Sequence, residues 1–262
     1  MRALLRTAAA AATAAAVLAG AAACGDHRER TPAEAFLAAS RVMRKAGAAR
    51  VALQRQDPGQ GAVGGRGVLS WGGRPAMDLV LRGPSGTTEV RTLDGTVHLG
   101  PDGGDWTEYD PEDPAAGGPG AAAAAVYSTW SEQLDPVADL EALAEVGTLE
   151  RIGTERVGGD DAVHYRGTAT VRALVGASGG LPAAQRVSVL GAYLRQGATG
   201  ITADVWINGR DEVVQERKTW RMPRGAATTT TRYTDLGTEV DIQAPLPGET
   251  VDAAKAEKDA TG

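Results

Sequence analysis

The chain has 262 residues with a formal net charge of −6, 35 Gly, 13 Pro and one Cys. This length corresponds to one large domain or two small ones. An acidic chain without clustered Lys and Arg is a poor candidate for nucleic-acid binding, and a single Cys excludes an internal disulfide. The many Gly and Pro favour a turn-rich antiparallel β protein whose core, with 4% aromatic residues, consists mainly of Val, Leu, Ile and Ala.

The first predicted element is an export signal over residues 1–23. Arg2 and Arg6 precede an uncharged, Ala-rich run that ends directly before Cys24. A basic start, a short apolar stretch and small residues at the cleavage site are typical of a secretory signal, whereas a transmembrane helix needs about 20 apolar residues. The position of Cys24 resembles the lipobox of bacterial lipoproteins, where the thiol carries a diacylglycerol, although Ala21 stands where Leu is usual. The alternative is a secreted protein with a free thiol.

A lipid on Cys24 would hold the protein on the outer face of the cell membrane. Residues 24–30 are then a short charged tether, and an acidic chain gains no attraction from anionic headgroups. Residues 31–246 are expected to form the folded domain. Residues 247–262 form a charged tail without apolar periodicity, and this tail is predicted to be disordered.

A helix is predicted to open the domain, followed by a run of strands. Thr31-Pro-Ala-Glu34 is a capping box with proline at the first helical position, and Gly47 ends the helical spacing. Between residues 50 and 109 the apolar period changes to two, which predicts five or six strands. Asp94-Gly95 is the clearest hairpin turn among them.

Helices and strands then alternate along the rest of the chain. A Pro/Gly/acid loop over 110–120 precedes one predicted helix over 121–133 and a second that begins at Asp135-Pro136. Further elements are strands at 148–157 and 162–170, helices at 171–176 and 181–196, and strands at 201–207, 212–222, 226–235 and 238–242. The strand over 226–235 is almost pure Thr, which suggests a solvated polar face.

This order predicts an α+β fold with a strongly curved antiparallel sheet of about 10–11 strands and helices packed on its concave face. The space between the layers is either a packed core or a ligand cavity, and apolar alternation does not distinguish the two. The scarcity of large side chains slightly favours a cavity. The candidate cavity residues are Met77, Leu79, Leu81, Leu140, Leu143, Leu190, Leu194, Val205 and Ile207.

Five segments together resemble the LppX/LprG-type envelope lipoproteins. They are Val90–His98, Trp106–Pro111, Pro136–Val146, Gly159–Thr168 and Asp204–Gly209. The similarity runs in order over residues 31–245. It implies the half-barrel shared with the LolA carrier, in which a cavity between sheet and helices holds acyl chains. The family has no fixed catalytic motif, so the resemblance assigns no site residue beyond Cys24.

Few residue patterns indicate catalysis or metal binding. Gly176–Gly180 formally matches the G-x-S-x-G nucleophile elbow, but no His follows Ser178, and a glycine-rich break between helices explains the motif better. His98 and His164 lie in predicted strands without a partner at metal-ligand spacing, so each is expected to hydrogen-bond a neighbour. We therefore expect no catalytic residue, no metal and no cofactor.

Two functions remain open from the sequence. The first is a monomeric, non-enzymatic envelope lipoprotein that binds or carries a lipid, lipoglycan or acyl chain in its cavity. The second is a binding or sensor module for an envelope protein on the same fold, without lipid cargo. Neither involves nucleic acid.

Overall fold

The computed structural model describes residues 30–58, 61–71, 74–101, 105–110, 118–179 and 183–253. The helices in these ranges are α1 (Pro32–Ala46), α2 (Gly118–Tyr127), α3 (Trp130–Gln133), α4 (Pro136–Val146), α5 (Val171–Ala177) and α6 (Ala183–Arg195). The strands are β1 (Ala48–Asp57), β2 (Gly61–Ser70), β3 (Ala76–Gly83), β4 (Gly86–Leu93), β5 (Thr96–Pro101), β6 (Trp106–Tyr109), β7 (Thr148–Val157), β8 (Asp160–Thr170), β9 (Gly200–Asn208), β10 (Val213–Met222), β11 (Gly225–Thr234) and β12 (Thr250–Asp252).

All twelve strands belong to one sheet, in the order β12-β6-β5-β4-β3-β2-β1-β11-β10-β9-β8-β7. The two halves of the sheet are antiparallel meanders, and the pairing of β1 with β11 joins them. The described strand pairs are antiparallel except at one edge, where β12 runs parallel to β6. This architecture is the predicted α+β fold with a large antiparallel sheet, and it contains slightly more strands than expected.

The predicted capping box starts α1. The Thr31 hydroxyl accepts the backbone N–H of Glu34 at 3.2 Å, and the Glu34 carboxylate accepts the N–H of Thr31 at 2.8 Å. Gly47 ends the helix with a left-handed φ of 69°. Phe36 and Met43 are completely buried, and α1 packs on α4, so this helix closes part of the inner face of the sheet.

Glycines in β2 permit an unusually close approach of neighbouring strands. A Cβ at Gly65 would lie 2.6 Å from the Leu81 side chain, and a Cβ at Gly67 would overlap the carbonyl oxygen of Asp78. By contrast, a Cβ at Gly64 would meet nothing within 4 Å. A side chain at position 67 would therefore require the β3 backbone to move, whereas at position 65 the Leu81 and Leu53 side chains would have to shift.

Two helices form where the sequence indicates one. The Ser128 hydroxyl donates to the carbonyl of Ala125 and the Thr129 hydroxyl to that of Val126, each at 3.0 Å. Such local side-chain bonds compete with the helical pattern. They account for the break between α2 and α3.

The end of the described chain also differs from the sequence-based expectation. Residues 247–249 form a 3₁₀ turn and residues 250–252 form β12, where a disordered tail was expected from residue 247. No strand forms over 238–242. Pairing with the open edge of β6 satisfies backbone groups of the terminal segment, and hydrophobic periodicity carries no signal for such pairing. Residues 254–262 lie outside the described residues.

Candidate functional site

A cleft opens at one end of the sheet, between two strand turns and two helices. The β1–β2 and β10–β11 turns are neighbours because β1 pairs with β11, and a Cβ at Gly225 would lie 3.2 Å from the Pro58 ring. Helix α2 and the end of α6 form the opposite side. The residues that line the cleft are Arg55, Asp57, Pro58, Gly61, Val63, Ala122, Ala123, Val126, Tyr127, Trp130, Leu194, Arg195, Gln196, Gly197, Met222, Pro223 and Arg224.

The cleft has the size of a ligand pocket and an apolar wall. Its volume is about 1010 Å³, at the top of the range of roughly 300–1,000 Å³ for small-molecule sites. Val126 is 39% exposed and Leu194 is 40% exposed. These two side chains from α2 and α6 present apolar surface to the cleft, which a ligand would remove from water.

An arginine closes the inner end of the cleft. Arg55 continues the inward-facing alternation of Val51 and Leu53 along β1. Its guanidinium lies 5.7 Å from the ring centroid of Trp130 and 5.6 Å from that of Trp220. Among the described residues, a gap of about 10 Å³ lies behind it, room for about one water molecule. The cleft therefore ends at Arg55.

Beyond this closure the interior holds a buried polar cluster, the Lys218 cluster, formed by Lys218, Glu216, Asp139 and Tyr233. Lys218 is 1% exposed, and its ammonium contacts the Asp139 carboxylate, the backbone carbonyl of Gln133 and, at 3.3 Å, the Glu216 carboxylate. The Tyr233 hydroxyl lies 3.3 Å from Glu216. Because Asp139 is on α4 and the other three are on β10 and β11, the cluster ties a helix to the sheet.

The electrostatics of this cluster follow from one cation facing two carboxylates. Burial opposes the charge of Lys218, but Asp139 and Glu216 outweigh it and raise the pKa of Lys218 well above its ordinary value. Burial raises the pKa of Glu216 to about 7, with Lys218 acting in the opposite direction. Burial also raises the pKa of Asp135, the N-cap residue of α4, to about 6.

The Lys218 cluster is not among the sites predicted from the sequence. Glu216, Lys218 and Trp220 occupy alternate positions on β10, and all three are buried. The same alternation places Thr229 and Thr231 of β11 inward, at 4% and 1% exposure, so the expectation that the Thr-rich strand is simply solvated is wrong for these two. The alternate spacing of Glu216 and Lys218 with Trp220 was the sequence signal for their burial. Two charged residues on one face of a strand, however, normally indicate the solvent-exposed face.

Most of the nine candidate cavity residues lie in the core. Met77, Leu79, Leu81, Leu140, Leu143, Val205 and Ile207 are at most 4% exposed and belong to one hydrophobic cluster. Leu190 is partly buried against the same cluster. Leu194 is the one of the nine that lines the cleft. Their role toward a ligand stays a prediction.

Helix α6 presents an unexpected face to the core. Val187, Leu190 and Leu194 share one side, as the sequence indicates, but Val187 is 73% exposed. The buried side carries Val189, Ala192 and Tyr193, and Tyr193 stacks on Trp220 at 6.1 Å between ring centroids. This rotation leaves Leu194 at the cleft.

The G-x-S-x-G sequence does not form a nucleophile elbow. Ser178 follows α5 as its C-cap residue, is 5% exposed, and donates its hydroxyl to the carbonyl of Leu174 at 3.0 Å. An elbow requires a serine on a turn from a strand into a helix. Ser178 therefore has a capping role.

The two strand histidines are buried on the outer face of the sheet. His164 has Nδ1 2.8 Å from Glu155 and Nε2 2.8 Å from Asp204, as expected for a histidine that hydrogen-bonds its neighbours. The hydrogen bond from His164 is the main reason why the pKa of Glu155 is lowered. His98 is 2% exposed and its Nδ1 has no hydrogen-bond partner among the described residues. Burial lowers the pKa of His98.

Some of the predicted features lie partly or wholly outside the described ranges. Cys24, the export signal and the tether residues up to 29 lie outside them, as does most of the 110–120 loop. Among the described residues, no group of three or more His, Cys, Asp or Glu side chains is placed to hold a metal ion. None of the described helices combines the length and the apolar character needed to cross a membrane.

No family model matches the chain. A curated relative is an uncharacterized 31.2 kDa protein in the rplA–rplJ intergenic region of Streptomyces griseus, 31% identical over 147 residues, which are 56% of this chain and 48% of that protein. The chain thus matches only about half the length of this relative.

Solved structures show the fold. LprF from Mycobacterium bovis is similar with a TM-score of 0.50 and 13% identity, over 82% of this chain and 96% of LprF. The lipoprotein LppX from Mycobacterium tuberculosis is similar with a TM-score of 0.46 and 15% identity, over 80% of this chain and 98% of LppX. The likeness to LprF confirms the fold that the resemblance to LppX/LprG-type lipoproteins predicted.

Proposed function

We propose that the protein is a non-enzymatic, extracytoplasmic lipoprotein that binds the apolar part of a lipid or acyl chain in the cleft between sheet and helices. The observation that carries the proposal is the cleft of about 1010 Å³ whose walls include the exposed side chains Val126 and Leu194. Removal of apolar surface from water supplies the binding free energy, at about 0.8 kcal/mol for each buried methylene. The sequence resemblance to LppX/LprG-type lipoproteins supports the same class of ligand.

The ligand would enter from one end rather than lie beneath the whole sheet. Arg55, Trp130 and Trp220 close the inner end, and the Lys218 cluster fills the interior beyond them. We therefore place the acyl chain along Val63, Met222 and the exposed faces of α2 and α6.

The anchor is proposed to be a lipid on Cys24. One attached chain binds a membrane only marginally, and two or more hold it stably. Replacement of Cys24 with Ser in the full chain is expected to move the protein from the membrane fraction to the soluble extracytoplasmic fraction. Unchanged membrane association of C24S would contradict the anchor without affecting the cleft.

The cleft itself is tested by titration with cis-parinaric acid, a fatty acid whose fluorescence rises in an apolar site. Saturable binding is expected for the unmodified chain. Leu194→Asp and Val126→Asp are expected to weaken it at least about tenfold, because each places a charge in the apolar wall. Both residues are substantially exposed, so folding should be retained.

Val187→Asp is the matched control, since Val187 is on α6 and exposed but does not line the cleft. Its affinity should equal that of the unmodified chain. Absence of saturable binding, or an equal loss in the control, would refute the proposal. Recovery of a stoichiometric envelope protein and no lipid would favour the binding-module function instead.

A further inference from the structure

The charged side chains that line the cleft are mainly positive, whereas the net charge of the whole chain is negative. Three arginines and one carboxylate line it, Arg55, Arg195, Arg224 and Asp57, while the chain has a net charge of −6. Cationic groups at the cleft of an acidic protein indicate that the cleft binds a negatively charged ligand.

Two of these four groups neutralise each other. Arg55 pairs with Asp57 at 3.5 Å, and their side chains are 14% and 21% exposed. The aromatic contacts of Arg55 with Trp130 and Trp220 hold it at the inner end. Arg55 therefore serves as the closure, and the uncompensated charge belongs to Arg195 and Arg224.

Arg195 and Arg224 lie on two segments that touch. Arg195 ends α6 and Arg224 is in the β10–β11 turn, and a Cβ at Gly197 would lie 2.8 Å from the Pro223 ring. Both arginines are exposed, and neither has an ion-pair partner among the described residues. Within the described part of the chain, the rim thus carries two guanidinium groups without ion-pair partners on adjacent segments.

Three of the last four carbonyl groups of α6 already accept backbone hydrogen bonds, which reduces the repulsion that an anion would meet at this helix C-terminus. The backbone N–H groups of Gln196, Gly197 and Ala198 donate to the carbonyls of Ala192, Leu194 and Tyr193. Gly197 adopts a φ of 73°, the left-handed conformation of a helix C-terminus closed by its own backbone.

Each free arginine has an apolar cleft residue beside it. Leu194 precedes Arg195, and Met222 lies two residues before Arg224. A ligand that contacts both kinds of surface has an apolar chain and a charged end. Guanidinium groups match carboxylate and phosphate oxygens in geometry and charge.

We propose that the ligand of the cleft is an anionic amphiphile whose carboxylate or phosphate headgroup binds Arg195 and Arg224 while its chain lies on the Leu194 wall. This inference rests on the proposed function and adds the class of headgroup. Since both arginines are exposed, they contribute modestly to affinity and strongly to the choice between charged and neutral lipids.

The test compares two probes with the same chain, cis-parinaric acid and its methyl ester, at pH 8 and low salt. The acid is expected to bind roughly three- to tenfold more tightly, and added NaCl should reduce this preference. The double variant Arg195→Gln/Arg224→Gln should lose the preference while its affinity for the ester stays unchanged. Arg221→Gln, an exposed arginine of β10 outside the cleft lining, is the control and should behave as the unmodified chain.

Each outcome separates this inference from the proposed function. Equal binding of acid and ester, or an unchanged preference in the double variant, overturns the headgroup assignment and leaves lipid binding in place. Failure of both probes to bind overturns the proposed function and the inference with it. Saturable binding of inorganic phosphate that the double variant loses, together with equal binding of acid and ester, would show a site for free anions and overturn the inference.

Discussion

Replacement of Lys218 with Met is expected to destabilise the protein strongly at neutral pH. Lys218 is 1% exposed and is the cation that faces both Asp139 and Glu216. Met fills a similar volume but leaves these buried carboxylates without a cationic partner. Removal of one member of a buried ion pair costs about 3–5 kcal/mol. In a domain of this size, 1 kcal/mol changes Tm by about 2–4 °C, so a decrease of roughly 6–20 °C is expected.

The measurement is urea unfolding at pH 7.5, followed by tryptophan fluorescence, with the free energy of unfolding as the readout. Lys45→Met is the control because Lys45 is exposed on α1, and its effect should stay within about 0.5 kcal/mol. A double-mutant cycle adds Asp139→Asn alone and together with Lys218→Met. If the pair carries the effect, the double variant loses less stability than the sum of the single variants.

A value for K218M within about 1 kcal/mol of the unmodified protein would refute this reasoning. It would mean that the carboxylates reach water or are both protonated when the lysine is absent. Additivity in the cycle would equally show that Lys218 and Asp139 do not stabilise each other.

Two further predictions concern pH and strand packing. Burial raises the pKa of Glu216 to about 7 from an ordinary value of 4.5, so the folded state binds more protons between these values and loses stability as pH rises through them. Glu216→Gln should remove up to about 3 kcal/mol of this pH dependence, while the contribution of Asp135 remains. The measurement is the free energy of unfolding between pH 5 and 8. An unchanged dependence of that free energy on pH would contradict the raised pKa of Glu216. Gly67→Ala should lower the unfolding free energy by at least about 2 kcal/mol, because the new Cβ would overlap the Asp78 carbonyl. Gly64→Ala is the control and should have little effect. Equal effects of the two substitutions would show that β3 moves at little cost in free energy.

The sequence by itself determined the local elements of this protein. The capping box at Thr31 and Glu34 starts α1, and Gly47 ends it, because both signals act within a few residues of the chain. The alternation of Met77, Leu79 and Leu81 predicted the buried face of β3, since strand periodicity records which residues share a face.

Only the tertiary structure decided what covers each face. The sequence placed Val187 and Leu194 on one side of α6, but packing of Tyr193 on Trp220 turns that side outward and leaves Leu194 at the cleft. The buried Lys218 contacts Glu216 beside it on β10 and Asp139 of α4, and Asp139 is 79 residues from Lys218 in the chain. Periodicity fixes which residues point together, whereas burial depends on partners that are distant in sequence, and these form both the cleft and the charged cluster behind it.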